Sequence, residues 1–229
     1  MALRICALAG LLIFVLAVGA AYAAGGIYID NLKITNNGKV IFSDSFDGGK
    51  LVGWTKMTDA SWIPDGPNTQ KGALLLNKHG SVAATAYHGL SSGQSLGVVE
   101  MSAEVFCTAP SEQYGWAVRK GACGTFFRLY SGSSNATIEA KVQLNPCQTS
   151  YQLGITAMNS QQGTYSKLPV LRPAKWATIT LRLDPRSATA TFFLDGRAFV
   201  SARYNPQQFR SLKEIGIVTG LGDGSKWTD

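Results

Sequence analysis

Short segments in which apolar and polar residues alternate recur along the chain, and they limit it to an architecture of half-buried strands. The pattern is clean in Val99-Glu100-Met101-Ser102-Ala103-Glu104-Val105, in Thr178-Ile179-Thr180-Leu181-Arg182-Leu183 and in Ala188-Thr189-Ala190-Thr191-Phe192. Successive side chains of a strand point to opposite faces, so strict alternation buries one face and leaves the other in water. In Ile27-Tyr28-Ile29-Asp30-Asn31-Leu32-Lys33-Ile34 the apolar side holds Ile27 and Ile29, slips at Asn31 and resumes at Leu32 and Ile34. That slip predicts a β-bulge. Asp195-Gly196 separates two alternating runs, and an Asp-Gly pair in that setting is a strong hairpin signal.

No segment carries a sustained helical period. Asn205–Arg210 predicts a single turn, with Pro206 at its first position, where a missing N–H is tolerated. The polar stretch 56–71 holds Pro64 and Pro67 and predicts a loop carrying Trp62. Strand-like segments recur at intervals of roughly 8–12 residues, the rhythm of a sandwich or barrel. The expected fold is all-β, a two-sheet antiparallel β-sandwich.

The first residues predict export. Arg4 supplies a positive charge, Leu8–Val18 is densely apolar, and Ala21-Tyr22-Ala23 has small residues where a signal peptidase reads. An uncleaved membrane anchor is the alternative, since no charge falls between Arg4 and Asp30. Only the first half of that stretch is strongly apolar, so we divide the chain into a signal peptide, 1–23, and one domain, 24–229. No later stretch predicts a membrane span.

The chain of 229 residues carries 21 Lys+Arg against 14 Asp+Glu. Its basic residues are scattered, with no Lys/Arg block of the kind that binds nucleic acid. Cys6 leaves with the signal, and Cys107, Cys123 and Cys147 remain at spacings that fit no zinc motif. If 98–106, 114–121, 124–131, 136–143 and 151–157 form one meander, the 122–123 turn and the 144–150 loop share an end. Cys107 then lies at the other end. A bridge needs Cα atoms within about 7 Å, so Cys123–Cys147 is the expected disulfide. Cys107 is then left outside it or pairs between chains. Three reduced cysteines are the alternative.

Four segments together resemble the concanavalin A-like lectin/glucanase superfamily, especially its laminin G-like jelly-roll branch. They are Phe42-Ser43-Asp44-Ser45-Phe46-Asp47-Gly48 with Leu51–Trp54; Trp116–Arg119 followed by Phe126–Tyr130; Trp176–Leu183 followed by Phe193–Arg197; and Ile27–Ile34. The cover is nearly the whole exported chain. The last segment resembles a strand that usually closes such domains, yet here it comes first. The resemblance therefore implies a circularly permuted jelly roll with Ile27–Ile34 beside the Phe42–Phe46 strand.

The resemblance also implies a calcium site where those two strands meet, at Asp30, Asp44 and Asp47 with carbonyls near Gly48 and Gly49. Calcium takes hard oxygen ligands of these kinds. The alternative is that these acids cap turns in solvent.

Glu100, Ser102 and Glu104 share one face of a strand. Glycoside hydrolases of family 16 carry E-x-D-x-E on such a strand, with one Glu as nucleophile and the other as acid. Here the middle acid is Ser102, and alternating Glu is also common on solvated sheet faces. Retaining chemistry needs carboxyls about 5–5.5 Å apart.

Aromatic side chains offer a third candidate. Trp54 and Trp176 are expected in the core, as large rings usually are. Trp62, Tyr114 and Trp116 are expected at the surface, where with Arg128 they would stack on and hydrogen-bond a sugar. His79 and His88 flank a strand over 81–87 with no triad spacing, and Asn135-Ala136-Thr137 is a glycosylation sequon. The expected function is a secreted or envelope module that binds a polysaccharide or glycan. The alternatives are a glycoside hydrolase or polysaccharide lyase using Glu100 and Glu104, and a structural or adhesive envelope protein.

Overall fold

Two antiparallel sheets stack face to face in the computed structural model, which describes residues 27–67, 71–76, 84–90, 95–107, 124–132, 136–144, 151–157, 163–167, 172 and 174–220. In chain order the strands are β1 (Ile27–Asn36), β2 (Lys39–Asp44), β3 (Trp54–Thr58), β4 (Ala60–Asp65), β5 (Lys71–Leu76), β6 (Ala84–Gly89), β7 (Val99–Cys107), β8 (Gly124–Ser131), β9 (Thr137–Leu144), β10 (Tyr151–Ala157), β11 (Thr164–Tyr165), β12 (Trp176–Asp184), β13 (Thr189–Leu194), β14 (Arg197–Arg203) and β15 (Leu212–Gly220). The first sheet runs β14-β13-β12-β7-β1-β5-β4, with β2 also on β1. The second runs β11-β10-β9-β8-β15-β6-β3.

The alternation in the sequence becomes the core between them. Ile29, Leu32, Ile34, Met101, Val105, Leu181 and Phe192 point inward from the first sheet. Phe127, Leu129, Ile138, Leu153, Ile155, Ile215 and Ile217 meet them from the second. Each such side chain, fully buried, contributes roughly 1.5–3 kcal/mol. A smaller cluster of Tyr28, Ala73, Leu75 and Phe106 lies on the far side of the first sheet, with Trp176 packed against it. The Trp176 indole donates to the Pro67 carbonyl at 2.8 Å. Trp54 is buried, whereas Trp176 is only half-buried.

Turn chemistry sets the hairpins. Asp195 and Gly196 both take left-handed φ, 47° and 78°, between β13 and β14. That is the conformation of a tight hairpin whose twist matches its strands. Asn37 and Gly38, at 51° and 78°, make the same turn between β1 and β2. The 205–210 segment closes as a single turn, with Gln207 N–H donating to Asn205 Oδ1 at 3.0 Å.

The slip at Asn31 is a bulge. Its φ is 49°, and the β1–β7 register shifts between Asp30 and Lys33. At the same place the other edge of β1 changes partner. Ile27–Ile29 pair with β5, and Leu32–Asn36 pair with β2. Leu32–Ile34 thus lies beside the Phe42 segment as the sequence implied, while Ile27–Ile29 lies beside β5 instead.

Three expectations need correction. The stretch 56–71 is no loop: Ala60–Asp65 pairs with β5 as the outer strand of its sheet, and its prolines are tolerated there because an edge strand leaves N–H groups unused. The strand before His88 begins at Ala84 within the described residues and includes His88. The single meander breaks, because β7 belongs to the first sheet while β8, β9 and β10 run side by side in the second. Gly124 pairs with Gln143 and Leu144 with Tyr151, so the start of β8 and the β9–β10 connection share an end as the parity argument required, but both cysteines lie outside the described residues, as do the signal peptide and 114–121. Cys107 is 1% exposed inside the first sheet, a position that offers no thiol to a second chain. Among the described residues no helix is long and apolar enough to cross a membrane.

Candidate ligand-binding face

The outward side of the second sheet gathers tyrosines and paired charges in cross-strand register. Ile215 and Ile217 face the core, so Glu214 and Gly216 face outward, and the same alternation turns Arg128 and Tyr130 out of β8 and Glu139 out of β9. Register then fixes their neighbours. Tyr87 on β6 stands opposite Gly216, Gly216 opposite Arg128, and Arg128 opposite Glu139, which faces Thr156 on β10.

The pair at the centre is tight. Arg128 Nε meets Glu139 Oε1 at 2.7 Å, with both side chains largely buried. Burial is the largest single influence on Arg128 and opposes its charge, but Glu139, Tyr130 and Tyr87 together outweigh it and the guanidinium pKa rises. Arg128 Nη1 donates to the Tyr87 hydroxyl at 3.5 Å. Tyr87 and Tyr130 rings sit 5.9 Å apart. Burial first, then a hydrogen bond with Tyr87, pushes the Tyr130 hydroxyl up to about 12 despite the pull of Arg128. Burial also raises the pKa of Tyr165, on β11, and the charge of Glu139 adds to it. A second pair, Lys56 Nζ to Glu214 Oε2 at 2.8 Å, borders the face, with Lys56 Nζ 5.3 Å from the Tyr87 ring centre.

Arg128 is the one predicted ligand residue found on this face among the described residues. Tyr114 and Trp116 lie outside them. Trp62 lies elsewhere, on β4, half-buried rather than exposed, with its indole donating to the Phe46 carbonyl at 2.5 Å. Tyr87, Glu139, Tyr165 and Gly216 escaped the sequence reading. Alternation could have turned Glu139 outward, between Ile138 and Ala140, and the expected meander put its strand beside that of Arg128; the register that sets the two opposite was not read.

Glu100 and Glu104 sit on the outer side of the first sheet. Glu100 is 3.7 Å from Arg182, both about two-fifths exposed, and Glu104 accepts from Asn31 Nδ2 at 3.0 Å. An open pocket of about 660 Å³ lies beside the bulge, lined by Asn31, Lys33, Phe42, Ser43, Asp44 and Lys50 among others, and neither glutamate lines it.

The acids implied for calcium do converge near the bulge. Asp30 is only 3% exposed, and its pKa rises to about 6. Burial is the main cause, with the charges of Glu104, Asp47 and Asp44 adding to it against a lowering hydrogen bond from Asn31 N–H. That bond is 2.6 Å long. Asp44 is already engaged: Oδ1 accepts from Phe46 N–H and Oδ2 from the Trp54 indole, each at 2.8 Å. Among the described residues no three acids, histidines or cysteines form a metal-ligating group.

No family model matches the chain, and no curated protein matches its sequence. Solved structures share its fold. A glycoside hydrolase family 16 endo-glucanase from Bacteroides ovatus, in complex with G4G3G-2F-DNP, is 12% identical with a TM-score of 0.51, over 80% of this chain and 88% of that one. The lectin UEA-II complexed with galactose is 13% identical with a TM-score of 0.50, over 88% and 92%. Lectin II from Ulex europaeus is 14% identical with a TM-score of 0.49, over 77% and 88%. Identities this low speak for fold alone. The chain has the concanavalin A-like jelly-roll fold, as its four segments implied.

Proposed function

We propose that this is an exported glycan-binding module whose ligand surface is the outer side of the second sheet. The observation that carries the reading is the Arg128–Glu139 pair held between Tyr87, Tyr130 and Tyr165. A sugar presents both C–H faces and hydroxyls. Tyrosine rings supply an apolar platform with a polar edge, while guanidinium donates to hydroxyl oxygens and carboxylate accepts from hydroxyl protons. Two structures of like fold are a lectin complexed with galactose and an endo-glucanase, which supports the ligand class by analogy. The charge, apolar run and Ala21-Tyr22-Ala23 of the leader support export.

The test is retention of the purified protein on a panel of soluble polysaccharides in affinity electrophoresis. Retention on at least one polymer is expected, lost in Arg128→Ala and in Tyr130→Ala with the thermal melt still cooperative. Failure to bind any polymer would overturn the reading.

A further inference from the structure

The basic residues are spread along the sequence, but the fold gathers five of them at one end of the sandwich. Strand register sets that end. Asn36 of β1 pairs with Val99 of β7, Val99 with Leu183 of β12, Asp184 with Thr189 of β13, and Thr189 with Arg203 of β14. The second sheet joins there, because Leu90 N–H donates to the Lys213 carbonyl at 2.8 Å and Leu96 N–H to the Arg210 carbonyl at 3.1 Å. Lys39, Arg186, Arg203, Arg210 and Lys213 all stand exposed at this end. Among the described residues Lys39, Arg186, Arg203 and Lys213 form no ion pair. The acid beside them is Asp184, whose carboxylate accepts from the N–H groups of Arg186 and Ser187 in its own turn. Glu100 and Glu214 lie further up their strands and already meet Arg182 and Lys56. The connections made at this end, β1–β2, β6–β7, β8–β9, β10–β11, β12–β13 and β14–β15, hold no Asp or Glu.

An apolar mouth opens between the sheets beside three of these cations. It encloses about 250 Å³ and is lined mainly by Val40, Ile41, Leu90, Leu96 and Leu212, with Lys39 at its rim. Val40 is 46% exposed, and Ile41, Leu90 and Leu96 are half-buried. The backbone bonds that tie Leu90 to Lys213 and Leu96 to Arg210 place both cations next to the opening. Asn36 fixes the segment that carries Leu96: its Nδ2 donates to the Ser95 carbonyl at 3.1 Å, and its Oδ1 accepts from Gly97 N–H at 2.8 Å. The opening is therefore apolar within and cationic around.

We propose that this end of the sandwich docks on an anionic phospholipid surface. Lys39, Arg210 and Lys213 sit among the headgroup phosphates, Arg186 and Arg203 extend the contact, and the Val40 mouth meets the first acyl carbons. Two effects add. Each basic residue brought close to an anionic bilayer strengthens binding by about fivefold. Val40 and its apolar neighbours leave water at the same time. A soluble polyanion satisfies the cations but leaves Val40, Leu90 and Leu96 in water, so the mouth favours the lipid. The docking end is separate from the Arg128–Glu139 face on the outer side of the second sheet, and the inference does not rest on the glycan-binding reading.

Co-sedimentation of the purified protein with phosphatidylcholine vesicles, with and without phosphatidylglycerol, is the test. The protein should partition onto the anionic vesicles and not onto the neutral ones, and raised salt should release it. Lys39→Gln combined with Lys213→Gln should weaken the partition about 25-fold, roughly fivefold for each cation. Val40→Ser should weaken it about threefold through lost apolar contact. All three side chains are exposed, so the melts should match the parent, and retention on any polysaccharide should be untouched. Equal partition onto both kinds of vesicle, or a double variant that binds as the parent does, would overturn the proposal. So would displacement by inorganic phosphate or dextran sulfate with Val40→Ser unchanged, which would make this end a site for soluble polyanions.

Discussion

Tyr87 on β6 leans across Gly216 on β15, with its Cε1 only 2.6 Å from where a side chain at the glycine would begin. Gly216→Ala therefore pushes the ring off the sheet. The ring lies on the outer face and can swing toward water, so the core is spared. Stability should change by less than about 1 kcal/mol, a melting shift of a few degrees at this size. Polymer affinity should fall about tenfold, as when a stacking contact is lost. A large melting loss with affinity intact would show that Gly216 serves packing and not the ligand.

Asp30 predicts an inverted pH response. Its folded pKa, about 6, exceeds the ordinary 3.8, because burial and the neighbouring acids penalise the charged form. The folded state thus holds the proton more tightly than the unfolded chain. Its contribution to stability is complete below about pH 4 and is lost as pH rises through 6. At neutral pH the cost is at most about 3 kcal/mol, reduced by solvent screening of the carboxylate. Asp30→Asn keeps an acceptor for Asn31 N–H and removes the charge. It should melt higher than the parent at pH 7 and level with it near pH 4. Both oxygens of Asp44 are taken by Phe46 N–H and the Trp54 indole, so calcium added at pH 7 should leave the parent's melting point unchanged. A calcium-dependent rise absent from Asp30→Asn would establish a bound ion there.

Much of this architecture was legible because it depends on local pattern. Alternation marked the strands of both core faces, Asp195-Gly196 marked a hairpin, and the break at Asn31 marked a bulge. Local pattern misled at 56–71, where Pro64 and Pro67 suggested a loop but lie in or beside an edge strand that tolerates them. The candidate face was scarcely legible. It is built from single residues on β6, β15, β8 and β9, which only sheet order brings together, and a chain gives strand faces more readily than strand neighbours. Arg128 and Glu139 lie on consecutive strands, β8 and β9, and what stayed hidden for that pair was its register. The acids near the bulge came closer, because their convergence needed only β1 beside β2, yet the sequence hid that Asp44 is engaged by Phe46 and Trp54.

Glu100→Gln separates the binding reading from a catalytic one. Its contact with Arg182, at 3.7 Å between side chains over 40% exposed, is an exposed ion pair, and such pairs contribute less than about 1 kcal/mol. Melting temperature and polymer retention should both match the parent. If incubation with the protein shortens a polymer and Glu100→Gln stops it, the outer side of the first sheet is an active site and the glycosidase alternative replaces ours.

Asp44 anchors the turn after β2, and its loss should be the most damaging of these changes. Phe46 is a buried, bulky residue at φ 55°, a conformation that its backbone does not favour. Asp44 Oδ1 holds the Phe46 N–H there, while Oδ2 takes the indole of Trp54, itself 6% exposed. Asp44→Ala strands both donors, at about 1–3 kcal/mol for each that stays buried, so a total of about 2–6 kcal/mol is expected. Asp44→Asn keeps an acceptor for Phe46 N–H but turns an amide donor toward the Trp54 indole, and should cost roughly half as much. Denaturant melts of the two variants decide the matter. Equal losses would mean that the Phe46 bond holds nothing, and a negligible loss in both would mean that the left-handed turn is maintained by the packing of Phe46 against Trp54 instead.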